Sequence, residues 1–438
     1  MRNKWSVLAL STLAVTLILV GAALLGYFFL GRKQPFDVPQ WKDPMTLVQA
    51  DTIDPALAVT GLGGVSDRDL VAQALSESRL GTAFAILVFS PGIEDRESAG
   101  DLLLLASRYR EDDRSREAIE GYRLAGTIAT LSPDLPDTVR ADTFILAGEG
   151  LAELEEYGLA QLYLDQAYNI GTVSAYVQPA IRRTLFQRLF HAYQAIGDKE
   201  RARDSLEKSA DTFSTVAVPD PPSLLPTAEP PALPADVQQA EAARWEAAQE
   251  LAAMLVARGG NAPHEAITNL GNALVTEDAV RTPYFDGMLS QTPQVSTQIS
   301  IIQARIDWLA IKYQVARQGY GISLVPEWET DAEAIRAELT KSYELLFALY
   351  ADLIVAMPDA DQIQIASEEI VRREILAGEL GRYPNYPKQQ RIAELESATA
   401  AIAASNPGTE MRVVVLPYGG VDSFVLVDDA TFQAVTGQ

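Results

Sequence analysis

With 438 residues, 48% of them hydrophobic, the chain holds enough apolar material for two packed domains of ordinary size, which excludes disorder of the whole. The formal net charge is -24; residues 1–33 hold four basic and no acidic residues, so residues 34–438 carry 31 basic against 59 acidic side chains, a net of -28. A body so acidic repels nucleic-acid phosphates and anionic head groups, so no nucleic-acid partner is expected.

The first element is an uncharged run over residues 5–30, preceded by Arg2 and Lys4 and followed by Arg32 and Lys33. About 20 apolar residues cross the hydrocarbon core, so this run is expected to be a transmembrane helix. A cleaved signal peptide is the competing reading, with Val20-Gly21-Ala22 as a tolerable cleavage site. Against it, the apolar run continues through Leu24, Leu25, Tyr27, Phe28, Phe29 and Leu30 and stops at a basic pair. We therefore expect a membrane anchor over residues 1–33 and a juxtamembrane segment over 34–65. Two basic residues near each end balance the positive-inside rule. A short tail with no domain to translocate favours an N-terminus inside and a body outside the cytoplasmic membrane.

From Ser66 onward apolar residues recur at spacings of three and four, which predicts helix after helix. Over residues 66–215 the pattern repeats. Ala118, Ala160 and Ala202 stand 42 residues apart, each preceded nine positions earlier by a large residue, Tyr109, Leu151 and Tyr193. Tyr122, Leu164 and Leu206 follow four positions after each alanine, and the small Ala125, Ala167 and Ser209 follow seven after. Small residues let a second helix approach the first closely, while large ones fill the groove between hairpins. A degenerate earlier hairpin is expected over residues 67–90, with Ala83 and Leu87 in its second helix.

At Glu155-Glu156-Tyr157-Gly158-Leu159-Ala160 and Gly197-Asp198-Lys199-Glu200-Arg201-Ala202 the chain resembles the tetratricopeptide repeat family, whose turn and second helix carry such a signature. It departs from that family in its 42-residue period, against about 34, and in placing Leu102, Phe144 and Phe186 where the family has tryptophan. The resemblance implies an all-α solenoid of antiparallel helix hairpins whose first helices line a groove. Projected onto that groove are Ser107 and Arg110 from the first hairpin, Asp142 and Glu149 from the second, and Thr184, Gln187, His191 and Gln194 from the third. Such a groove grips a peptide backbone and its charged ends.

Seven prolines between Pro219 and Pro234 interrupt the helices and predict a linker over residues 216–235. A second helical domain is expected over 236–405, with helices at 237–258, 263–275, 295–318, 331–357, 360–380 and 388–404. The two long ones, apolar at Ile299, Ile302, Ile306, Leu309 and Tyr313 and at Ile335, Leu339, Tyr343, Leu346 and Tyr350, should pack as a hairpin. Tyr383-Pro384-Asn385-Tyr386-Pro387 is a turn. The last segment, 406–438, contains two β-branched-rich runs around Pro417-Tyr418-Gly419-Gly420, which predict a small β-hairpin.

For catalysis the sequence offers little. Without cysteine there are no disulfides, thiolate nucleophiles or cysteine-ligated metals, and His191 and His264 are the only histidines. No His-Glu-x-x-His and no Gly-x-Ser-x-Gly occurs. Gly61-Leu62-Gly63-Gly64 lacks a P-loop lysine and reads as a turn, and Glu111-Asp112-Asp113 lacks the ligand spacing of a calcium loop. No cofactor, metal or catalytic residue is assigned. The expectation is a membrane-anchored scaffold or adaptor that binds a protein or peptide partner. The alternative is an enzyme or ligand receptor centred on the second half, where Glu327, Glu329 and Asp331 cluster near Trp328.

Overall fold

A computed structural model describes residues 67–90, 92–174, 176–210, 223, 225, 229, 231–258, 264–323, 326–357, 360–387, 411–418 and 421–428. The apolar run at 5–30 and the helix expected over 388–404 lie outside these residues. Among the described residues no helix is long and apolar enough to cross a membrane.

The described residues form thirteen helices in which neighbours in sequence pack as pairs, a helical-repeat arrangement. A short hairpin, α1 (Asp67–Ser76) and α2 (Leu80–Phe89), comes first. Three longer hairpins follow: α3 (Asp95–Glu111) with α4 (Ser115–Leu131), α5 (Asp137–Glu153) with α6 (Tyr157–Val173), and α7 (Pro179–Ile196) with α8 (Lys199–Ala210). Each first helix begins 42 residues after the last, and so does each second helix. The first helices also pack on one another, α3 on α5 and α5 on α7.

The turns within the hairpins share one chemistry. Asp113, Glu155 and Gly197 occupy the same repeat position and all have positive φ, at 58°, 63° and 82°. In each, the next residue's N–H turns back onto the first helix: Arg114 to the Tyr109 carbonyl at 2.8 Å, Glu156 to Leu151 at 2.9 Å and Asp198 to Tyr193 at 2.9 Å. This is the left-handed helix stop that satisfies carbonyls left over at a C-terminus.

The small-and-large pattern does what its spacing predicts. Ala118, Ala160, Ala202, Tyr109, Leu151, Tyr193, Leu102, Phe144 and Phe186 are all buried. Tyr122 lies so close to Gly150, and Tyr163 to Gly126, that a β-carbon at either glycine would collide with the ring. One position differs. Tyr122 and Leu164 are buried but Leu206 is 48% exposed; α4 and α6 are each followed by the first helix of the next hairpin, α8 by the proline-rich segment.

The remaining helices are α9 (Ala235–Ala257), α10 (His264–Gln291), α11 (Val295–Ser323), α12 (Pro326–Val355) and α13 (Ala360–Glu379). The expected hairpin of long helices is α11 against α12, and the residues named for it form one core. With a seven-residue period, Ile301, Trp308 and Val315 give α11 a second apolar face, turned to α9 and α10. Three boundaries correct the sequence reading. The helix expected to end at 275 runs through Pro283 to Gln291, the one expected to end at 318 runs to Ser323, and the one expected from 331 starts at Pro326. Glu327 and Asp331 therefore sit in the first turns of α12, where carboxylates complement the helix dipole.

Within the proline-rich segment Leu225 is buried in the α11–α12 core, and the Ser223 hydroxyl bonds Glu369 of α13. Helix α13 returns across the chain to pack on α4. Every residue of α4 from Ala118 to Leu131 is consequently buried, including Glu120, Arg123, Thr127 and Thr130. The backbone of β1 (Met411–Tyr418) runs antiparallel to β2 (Val421–Asp428), with Met411 opposite Asp428 and Tyr418 opposite Val421.

Candidate functional site

The sequence-projected groove lies on the face presented by α3, α5 and α7. Of its residues, Asp142, Thr184, Gln187, His191 and Gln194 are exposed, while Ser107, Arg110 and Glu149 are half-buried. Ser107, Glu149 and His191 occupy the same position in successive repeats, so side-by-side first helices bring them into one row. Two ion pairs cross from helix to helix. Arg110 pairs with Glu153, and its guanidinium also reaches the Ser107 hydroxyl at 3.5 Å; Arg188 Nη1 meets Asp142 Oδ1 at 2.7 Å. Thr184 bonds back to the Ala180 carbonyl at 3.3 Å, and the His191 ring lies 4.9 Å from that of Phe190.

Burial pushes the Glu149 carboxyl above the usual carboxylate range; Arg188 opposes the shift and Glu153 reinforces it. Burial likewise raises the Tyr122 phenol beneath Arg110, which opposes it. The sequence reading missed Glu153 and Arg188, the partners that tie the row together. It also missed Leu104 and Leu146, one repeat apart and 47% and 45% exposed, apolar side chains on the same face as Ser107 and Glu149. Their counterpart in the third repeat is Arg188. A repeat alignment carried onto the exposed positions would have shown all three. The face thus carries two exposed apolar side chains within a charged and amide-bearing border.

A second concavity of about 620 Å³ opens where the repeat loops meet α11, α12 and α13. Asp95, Arg96 and Asp134 line one side; Tyr343, Tyr350 and Arg373 line the other. Arg373 clasps Asp134 with both terminal nitrogens, at 2.9 and 3.2 Å. Behind it, Tyr383 stacks on Tyr343 with ring centres 4.8 Å apart. The Asp307 carboxyl, held by the Gln303 amide at 3.1 Å, is pushed up to about 6 by burial, against the lowering pull of Gln303 and Arg382. Beneath α13, Arg123 is clasped by Glu120 at 2.8 and 2.9 Å and lies 3.8 Å from Glu379, which takes the Tyr386 hydroxyl.

Among the described residues no group of three His, Asp or Glu side chains stands where it could hold a metal ion. Comparison with family models, with curated proteins and with solved structures finds no match.

Proposed function

We propose that this chain is a membrane-anchored scaffold whose tetratricopeptide-like hairpins hold a protein or peptide partner on the face of α3, α5 and α7. The observation that carries the reading is the pair Leu104 and Leu146, large apolar side chains left exposed one repeat apart beside Ser107, Glu149 and His191. A few apolar anchors ringed by polar groups are what short-peptide recognition uses. The tetratricopeptide assignment itself is supported by the recurring alanines, the large residues nine positions before them and the shared turn, against a period longer than that family's. The ion pairs on the face are partly exposed, Glu153 and Asp142 being their open partners, and contribute on the order of 1 kcal/mol or less each, so a ligand can exchange them at small cost.

The uncharged run at residues 5–30 supports attachment to the cytoplasmic membrane by one span, with the body outside. A scaffold so placed suits work beside secretion, envelope-assembly or chaperone machinery. No catalytic role is assigned. A second reading, a ligand receptor or enzyme built on the C-terminal helices, is favoured by the cleft beside Tyr343 and Arg373.

One experiment separates the two. The full-length chain is purified from detergent extract, its co-purifying protein identified, and capture compared between variants. Gln187→Ala with His191→Ala should abolish capture and leave helicity and melting temperature nearly unchanged, since both side chains are exposed. Deletion beyond Thr409 should leave capture in place. If the groove variant keeps its partner and the deletion loses it, the binding surface belongs to the C-terminal half.

A further inference from the structure

The last carbonyls of a helix have no partner within it and need donors from elsewhere. At the end of α4 one arginine supplies them. Arg140, from the first turns of α5, donates to the carbonyls of Thr130, Ser132 and Leu135 at 3.2, 2.9 and 3.0 Å, and also to Ala129. One repeat later Arg182 does the same from α7, donating to Gly171, Ser174 and Val177. The five N–H groups of a planar guanidinium suit such a fan of carbonyls.

At the end of α2 the same position on α3 holds Ser98, too short to reach. The register is unchanged. The Ser98 N–H bonds the Glu94 carbonyl at 2.9 Å, as that of Arg140 bonds Pro136 at 2.9 Å and that of Arg182 bonds Gln178 at 2.8 Å. The serine turn that closes α4 and α6 is also kept at α2: the Ser90, Ser132 and Ser174 hydroxyls accept the N–H groups of Gly92, Asp134 and Tyr176 at 3.1, 3.2 and 3.1 Å. The carbonyls of Val88 and Ser90 are the counterparts of those of Thr130 and Ser132. Both are filled by Arg382, whose Nε and Nη2 donate to them at 2.9 and 3.2 Å from the turn after α13.

We propose that the end of α2 is a guanidinium-binding site vacated by the serine at position 98, and that Arg382 enters it from the far end of the chain to latch the C-terminal helices to the first hairpin. The turn that carries Arg382 is preset for this. Gly381 has φ 72°, and the Arg382 N–H closes the helix stop on the Ala377 carbonyl at 2.8 Å.

The test uses the full-length chain, read by melting temperature and by amide hydrogen exchange. Arg382→Ala should lower the melting temperature and speed exchange at residues 381–387 by roughly tenfold or more. Arg382→Lys should not restore either, because one ammonium cannot address two diverging carbonyls as Nε and Nη2 do. Adding Ser98→Arg to Arg382→Ala should recover the melting temperature while leaving residues 381–387 exchanging fast, since α2 is then capped without a tie to the C-terminal turn. Ser98→Arg alone should compete with Arg382 and free the turn. It decides the matter if Arg382→Ala fails to fold. Wild-type exchange and melting in Arg382→Ala, or no gain from Ser98→Arg in that background, would overturn the proposal.

Discussion

The hairpins from α3 to α8 and the helices from α9 to α12 solve the same packing problem with different materials. In the repeats, alanines and glycines bring helices together, aromatic rings fill the gaps, and charge stays mostly at turns and junctions, the buried Glu120–Arg123 pair of α4 excepted. In the later helices a charged network sits inside. Arg244 and Glu277 are wholly buried and paired; Arg281 adds ion-pair contacts of 2.8 Å to Glu277 and 3.1 Å to Glu241. Trp308 roofs both guanidinium groups, with their centres 5.5 and 4.8 Å from its ring, and gives its indole N–H to Asp278 at 3.1 Å. A repeat unit tolerates variation because each interface is rebuilt at every period. The buried network has no such redundancy.

The largest expected effect therefore lies in the later helices. Glu277→Ala leaves two buried guanidinium groups with only Glu241 nearby and should cost about 3–5 kcal/mol, seen as a fall in the urea midpoint. Replacing Arg244, Arg281 and Glu277 together by Met, Met and Leu removes the desolvation penalty along with the attraction, and should cost much less than Glu277→Ala alone. If the single and triple changes were equally damaging, the contrast between the two halves would fail.

In the repeats the matching test is steric. Ala160 is fully buried where α6 meets α5, and its carbonyl lies 3.2 Å from where a β-carbon on Gly148 would stand. Ala160→Leu should overpack this contact and cost about 1–3 kcal/mol, again measured as a urea midpoint, whereas Ala337→Leu on the exposed face of α12 should cost little. An unchanged midpoint for Ala160→Leu would mean that the close approach of the two helices is not what the small residue provides.

The same contrast explains what could be read in advance. The hairpin repeat within residues 67–210 and the α11–α12 pairing were legible because apolar periodicity reports burial directly. The extension of α10 to Gln291 was not, since Glu277 and Arg281 are buried yet read as solvent-facing, and Pro283 reads as a stop. The packing of α13 on α4 was hidden for a related reason: Glu120 and Arg123 meet it with charge rather than with an apolar stripe. Of the candidate groove, the row Ser107, Glu149 and His191 follows from the repeat, but the pairs made by Glu153 and Arg188 depend on which side chains face each other across helices. The recurrence of Arg140 and Arg182 was visible in the sequence, as was the serine that interrupts it at position 98. Its meaning needed the carbonyls in place.

The smallest expected effect separates backbone strain from packing within a single repeat position. Asp113, Glu155 and Gly197 all take the left-handed conformation, but only glycine does so without steric cost. Aspartate is among the residues that tolerate it; glutamate, with a longer side chain that cannot bond locally, is not. Glu155 is exposed, so changing it removes strain without opening a cavity. Glu155→Gly should then stabilise the chain by about 1 kcal/mol, with a higher urea midpoint and an unchanged slope. Gly197→Ala should lose a similar amount, because the space around Gly197 is open and conformation is the only penalty. Were Glu155→Gly neutral or destabilising, the flexibility that glycine adds to the unfolded chain would outweigh the strain relieved, and the repeats would owe their turn geometry to the packing of Leu151 and Ala160 on either side.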